Sequence, residues 1–144
     1  MPAKHVKLEA TQLDGFKIET RSGRHVNIVD QPVAGGGTDS GPSPLDYLFI
    51  SLAGCIITIG NIIAKQRQLP VRKIEVTVEG DLDTDILMGK RSDARPGFTG
   101  IHVHTKFDAD LTQEEKDALL KEIDERCPIS DNLHNTSTIT FSAE

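Results

Sequence analysis

The chain has 144 residues, a formal net charge of −6 and a pI near 5.3, with two cysteines and no tryptophan. That length suits a single domain, residues 1–144, with enough apolar side chains for a core. The acidic balance, with no block rich in Lys and Arg, argues against an electrostatic nucleic-acid binder. The opening MPAKHVKLEA lacks the apolar core of a secretion signal. The long apolar stretch 45–64 is interrupted by Asp46, Ser51, Thr58 and Asn61, so it reads as a buried helix, with no membrane partner expected. The expected location is cytoplasmic, where thiols are kept reduced, so the cysteines are expected to be free or cycling and not a structural staple.

Taken in order, HVKLEATQLDGFKIETRSGRHVNIVDQPV alternates in pieces, with Val6/Leu8, Phe16/Ile18 and Val26/Ile28 as apolar pairs. LDG at 13–15 and RSGR at 21–24 carry turn chemistry, which predicts three antiparallel strands joined by hairpins. PVAGGGTDSGPSP, 32–44, is a loop. Its glycine triplet beside Thr38 and Ser40 has the composition of a phosphate cradle, but it lacks the Lys of a P-loop and a clear strand before it, and a plain connector is the better reading.

Ser43 reads as an N-cap, with Pro44 at the first helical position and Asp46 three residues after the cap. The helix should run to about Gln68, before Pro70. It is apolar nearly all round, and a small domain can bury such a helix only if something covers both sides, for which a dimer interface is the economical cover. VRKIEVTVEGDLD and GIHVHTKFDADL then alternate as two further strands, with Ile74, Val76 and Val78 on one and Ile101, Val103 and Thr105 on the other. The last long helix opens at Thr112 with Glu115 completing a capping box, and carries Leu119, Leu120, Ile123 and Cys127 at helical spacing. QEEKDALLKEIDER is its solvated face. Pro128 ends it, a short helical piece PISDNLH follows, and TSTITFSAE reads as a terminal strand. The predicted order is β-β-β-α-β-β-α-β, an α+β domain.

Cys127 lies four residues after Ile123 and seven after Leu120, on the core side of its helix, and Cys55 sits within the apolar one. A buried cysteine is ordinarily a small hydrophobe. The spacing leaves open whether the two thiols meet. Pro128 presents Cys127 at a bend, and Gly54 permits a close approach beside Cys55.

GPSPLDYLFISLAGCI followed by RCPISDNLHNTSTITF resembles the OsmC/Ohr family, the osmotically inducible protein C and organic hydroperoxide resistance proteins. The glycine-rich approach DQPVAGGGTDSGPSP is similar to that of its OsmC-like branch. The resemblance spans essentially the whole chain. It implies an intertwined homodimer with the long central helices packed at the interface, and a thiol peroxidase acting on organic and fatty-acid hydroperoxides. Cys55 would be the peroxidatic thiol and Cys127 the resolving one, reduced by a dithiol such as a lipoylated protein. No metal, flavin or other cofactor is implied.

A thiolate that attacks the distal peroxide oxygen becomes a sulfenic acid, which a second thiol converts to a disulfide. At an ordinary pKa of about 8.5 only a few per cent is thiolate near neutrality, so such a site needs a cation or helix terminus close to Cys55. Active members of the family pair this cysteine with an Arg in the turn after the first strand, held by a Glu near the start of the central helix. Here that turn reads QLDGF, without Arg, and Leu45 stands where the Glu is usual. Asp46 matches the second acidic place, as N-cap or as site residue. Arg21, Arg24, Arg91 and Arg95 are further cation candidates. His102 and His104 share a strand face without completing a metal-ligand set, and His134 is a candidate neighbour of the second thiol. The expected function is reduction of organic hydroperoxides. The alternative is a non-peroxidatic dimer that binds an apolar small molecule or senses oxidants.

Overall fold

The two turns expected at the start of the chain form at Gly15 and Gly23, with φ of +56° and +58°, a region that a residue with a Cβ resists. In the computed structural model, which describes residues 2–144, they join β1 (Glu9–Asp14), β2 (Lys17–Ser22) and β3 (His25–Val29) into an antiparallel meander of order β1-β2-β3. Gln12 faces Ile18 across the first pair and Thr20 faces Asn27 across the second. Val6 and Leu8, read with the first strand, precede β1 and are exposed.

The glycine-rich segment after β3 is folded around a carboxylate. Asp30, only 1% exposed, accepts the backbone N–H groups of Gln31 (2.8 Å), Thr38 (3.2 Å) and Ser40 (3.1 Å) and the Thr38 hydroxyl (2.6 Å). A Cβ on Gly37 would lie 2.1 Å from the Gln31 carbonyl oxygen, so only glycine closes the loop there. The same segment holds a single 3-10 turn, Val33–Gly35.

Helix α1 (Pro44–Arg67) begins and ends as its sequence dictates. Ser43 and Asp46 cap it reciprocally, the Asp46 carboxylate accepting from the Ser43 N–H at 2.8 Å and the Asp46 N–H donating to the Ser43 hydroxyl oxygen at 3.2 Å. At the far end Gln68 turns left-handed (φ +52°) and the Leu69 N–H returns to the Ala64 carbonyl. By length and composition alone α1 could cross a bilayer. It buries one stripe, Leu52, Ile56, Gly60, Ile63 and Ala64, and leaves Ile50 and Ile62 exposed.

The chain divides into two compact units between Leu48 and Phe49. The first holds the meander, the Asp30 loop and the first turn of α1, where the Tyr47 hydroxyl donates to the Ile28 carbonyl at 2.7 Å. The second contains the rest of α1, the antiparallel pair β4 (Val71–Asp81) and β5 (Gly100–Ala109), and the helices α2 (Thr84–Leu87), α3 (Gln113–Arg126) and α4 (Pro128–His134). Its register places Ile74 opposite Phe107, Val76 opposite Thr105 and Val78 opposite Val103 on one sheet face. The α1 stripe and Leu119 and Ile123 of α3 pack with Ile74 and Phe107 into one core. The capping box of Thr112 and Glu115 opens α3 as expected.

The α+β class and most of the order follow the sequence, with two differences. The polar stretch TDILMGKRSDARPGF between β4 and β5, which by its composition should be a loop, opens with the short α2, capped by Asp83. The terminal strand expected over TSTITFSAE does not form: residues 136–144 have no strand assignment and are exposed, Phe141 to 92%. Alternation prepares a segment for a sheet, but a strand exists only through a neighbour's hydrogen-bond ladder. Among the described residues neither sheet supplies one to this segment.

Candidate functional site

Proline at position 128 decides where the second thiol goes. A residue before proline is driven out of the helical region, and Cys127 is accordingly extended (φ −83°, ψ 112°), closing α3 and opening α4. Its side chain is 1% exposed, and its sulfur accepts the Ser130 N–H at 3.4 Å. Cys55 reaches the same point from α1. The Cys127 and Cys55 thiols share a hydrogen bond, with the Sγ atoms 2.7 Å apart. Both cysteines are free thiols. A disulfide bond is about 2.05 Å long, so the pair is a dithiol positioned to close with a small movement.

Burial pushes the Cys55 thiol above its ordinary pKa. Sharing its proton with the Cys127 sulfur adds to this, and the Ile129 N–H, which favours the thiolate, opposes it. Among the described residues, no cation is one of the groups acting on Cys55. Two of the expected cation candidates are engaged in ion pairs. Arg21 pairs with Glu19 at 2.8 Å, and Arg91 pairs with Asp83 and Asp93 at 2.9 and 3.0 Å. Arg95 lines a cleft described below. Asp46 serves α1 as its cap partner, and its carboxyl is held below the usual range by the Ser43 hydroxyl and N–H. His102 and His104 are exposed on β5, opposite Glu79 and Thr77. His134 is directed at Asp124, with Nε2 3.7 Å from Oδ1.

Beside the dithiol is an open cleft of about 750 Å3, lined by apolar Leu52, Ile56, Phe98 and Leu120 and by charged groups of both signs, Arg95 and Lys121 with Asp117 and Asp124. The sulfurs themselves are not on its wall, but Ser130, which bonds Cys127, is. Its partly apolar lining suits an alkyl or aromatic group.

Two residues near the thiols escaped the sequence reading. Ser130 donates its hydroxyl to the Asp124 carboxylate, so both groups belong to the Cys127 bend. C-P-I-S has the spacing of an N-cap followed by proline and an N3 residue, and this was the available signal. The glycine-rich loop has a different role from the phosphate cradle weighed above: the N–H groups of Thr38 and Ser40 are already occupied by Asp30.

The fold and site define a two-thiol α+β protein in which a cysteine in a long helix meets a cysteine at a helix junction. The family model described as OsmC-like protein matches residues 37–142, and the chain belongs to that family. Comparison with curated protein sequences gives no match. Among solved structures, an OsmC-like protein from Mycoplasma pneumoniae is 20% identical with a TM-score of 0.81, over 92% of this chain and 89% of that one. A Legionella pneumophila protein described as the organic hydroperoxide resistance protein OsmC is 19% identical with a TM-score of 0.70, over 92% and 91%. An organic hydroperoxide resistance protein from Elizabethkingia anophelis is 20% identical with a TM-score of 0.67, over 94% and 91%. Likeness at these identities establishes the shared fold.

Proposed function

We propose that this chain is a cysteine-dependent thiol peroxidase that reduces organic hydroperoxides through a disulfide cycle between Cys55 and Cys127. The observation that carries the reading is the meeting of the two sulfurs at 2.7 Å. The Cys55 thiolate attacks the distal oxygen of the hydroperoxide, the O–O bond breaks, and the alcohol leaves with a proton. Cys127 then attacks the resulting sulfenic acid, forming the disulfide and releasing water. A dithiol reductant, such as a lipoylated protein, returns two electrons and two protons by exchange.

Asp46 enters this reading by fixing the start of the helix that carries Cys55. The apolar wall of the neighbouring cleft supports an alkyl or aromatic hydroperoxide as substrate. The exposed Ile50 and Ile62 on α1 support a homodimer in which a second copy covers this helix. The proposed location is the cytoplasm, with neither nucleic acid nor membrane as partner.

The raised Cys55 thiol favours one other reading, a non-peroxidatic member that binds an apolar molecule or senses oxidants slowly. Mixing the reduced protein with one equivalent of cumene hydroperoxide separates the two. The peroxidase forms a Cys55–Cys127 disulfide rapidly and stoichiometrically, seen by stopped flow and mass spectrometry, and Cys55→Ser abolishes it. Thiols that stay free, or react no faster than free cysteine, reject the peroxidase. Saturable ligand affinity that survives Cys55→Ser then identifies the binder.

A further inference from the structure

We propose that Asp124 and Ser130 are positioning residues for the thiol pair, holding the Cys127 sulfur against Cys55. This rests on reading Cys55 and Cys127 as a redox couple. Three residues form a closed ring around the bend between α3 and α4. The Cys127 N–H donates to the Asp124 carbonyl oxygen at 3.4 Å. The Asp124 carboxylate accepts the Ser130 hydroxyl. The Ser130 N–H donates back to the Cys127 sulfur at 3.4 Å. The Cys127 carbonyl, on the same bend, accepts the Asp131 N–H at 3.0 Å.

The ring controls one degree of freedom that matters for disulfide chemistry. Pro128 sets the backbone of Cys127 but leaves its χ1 free to choose among staggered wells. Only a well that points the sulfur at Cys55 allows the bond to close, because disulfide geometry is narrow in distance and dihedral. The Ser130 N–H selects that well by bonding the sulfur, and the Asp124 carboxylate anchors Ser130 through its hydroxyl. Ser130 is 6% exposed, so the donor side of its bond to Asp124 is withdrawn from water, while the carboxylate keeps an exposed outer side. His134 lies at the same carboxylate, 3.7 Å away, leaving the ring with an outer neighbour on α4.

The test is the equilibrium of the reduced protein with glutathione disulfide, which requires no peroxide. The Cys55 thiolate attacks one glutathione sulfur and releases a glutathione thiolate. Cys127 then attacks Cys55 of the mixed disulfide and releases the second, so two protein thiols are oxidised while one glutathione disulfide is reduced to two thiols. Ser130→Ala and Asp124→Ala should each lower the intramolecular closure constant about tenfold, the scale of one lost hydrogen bond. Asp124→Asn, which keeps an oxygen acceptor, should recover most of the loss. Formation of the mixed disulfide at Cys55, measured in a Cys127→Ser background, should be unchanged by either substitution. Thermal melting separates this from loss of fold, and Asp124→Ala carries the test if Ser130→Ala does not fold. A closure constant within about twofold of the parent in a folded variant overturns the proposal, since one hydrogen bond should count for more. Failure of the peroxidase reading shows instead as inertness to cumene hydroperoxide with glutathione exchange intact.

Discussion

Gly60 sits where α1 crosses the sheet and α3, and the substitution Gly60→Ala sets two effects of known size against each other. Alanine favours the helix over glycine by about 1 kcal/mol. Its Cβ, however, would lie 2.6 Å from Ile74 Cδ1 and 3.1 Å from Ile123 Cδ1. Ile74 is 8% exposed and Ile123 is fully buried, so neither methyl can swing into solvent. Overpacking of this kind costs about 1–3 kcal/mol, so the net expectation is destabilisation by about 1 kcal/mol. Ile74→Val removes the closer methyl and by itself should cost about 1 kcal/mol. In the double variant the alanine methyl occupies the vacated space and both losses largely cancel, giving a coupling of about 1–2 kcal/mol. The assay is urea unfolding followed by circular dichroism for the parent, both single variants and the double variant, at one protein concentration. Stabilisation by Gly60→Ala, or additivity within about 0.5 kcal/mol, would refute the packing of these three elements.

Three other outcomes are expected. Because burial and the Cys127 bond raise the Cys55 pKa, its alkylation by iodoacetamide, resolved by peptide mass spectrometry, should still be rising at a pH above about 8.5, the ordinary thiol value. A plateau reached below neutrality would contradict the environment described for this thiol. The Asp30 carboxyl is held well below the carboxylate range by Thr38 and by backbone N–H groups. A depressed folded-state pKa contributes stability that is present above the unfolded pKa, about 3.9, and lost as pH falls toward the folded value. The melting temperature should therefore decline below about pH 4, and Asp30→Asn should lower it at neutral pH while flattening the acid decline, as measured by melts across pH. Finally, Gly37→Ala should destabilise the Asp30 loop, since its Cβ would meet the Gln31 carbonyl oxygen. Proteolysis within residues 31–43 should become faster, and an unchanged cleavage pattern would count against the loop geometry.

Much of the architecture was legible because its causes are local. Gly15 and Gly23 supply the conformations of two hairpin turns. Ser43, Pro44 and Asp46 start α1, Thr112 and Glu115 start α3, and Pro128 ends that helix. Alternation in β4 and β5 placed Ile74, Val76 and Val78 on the face that packs inward. Each signal acts over a few residues, through a dihedral preference, one hydrogen bond or the two-residue period of a strand. Cys127 could also be assigned to the core, because helical spacing tied it to Ile123, whereas Cys55, enclosed by an apolar run and expected to be buried as well, is only half-buried.

Their meeting was not contained in any such signal. It depends on α1 and α3 packing into one core with Ile74 and Phe107, and on a proline bend that turns Cys127 toward Cys55. The same holds for Asp124 and Ser130, whose separate helices reveal a shared purpose only when the bend brings a carboxylate to a hydroxyl. The role of Asp30 likewise arises only when the chain after it wraps its N–H groups around the carboxylate. The terminal TSTITFSAE shows the converse, a strand pattern with no ladder to join. Sequence by itself determined which segments could form elements and which face of each was apolar, because backbone preference and side-chain period are local properties. Tertiary structure decided which thiols, carboxylates and amides meet, because contacts between distant residues are selected by the packing of the whole core.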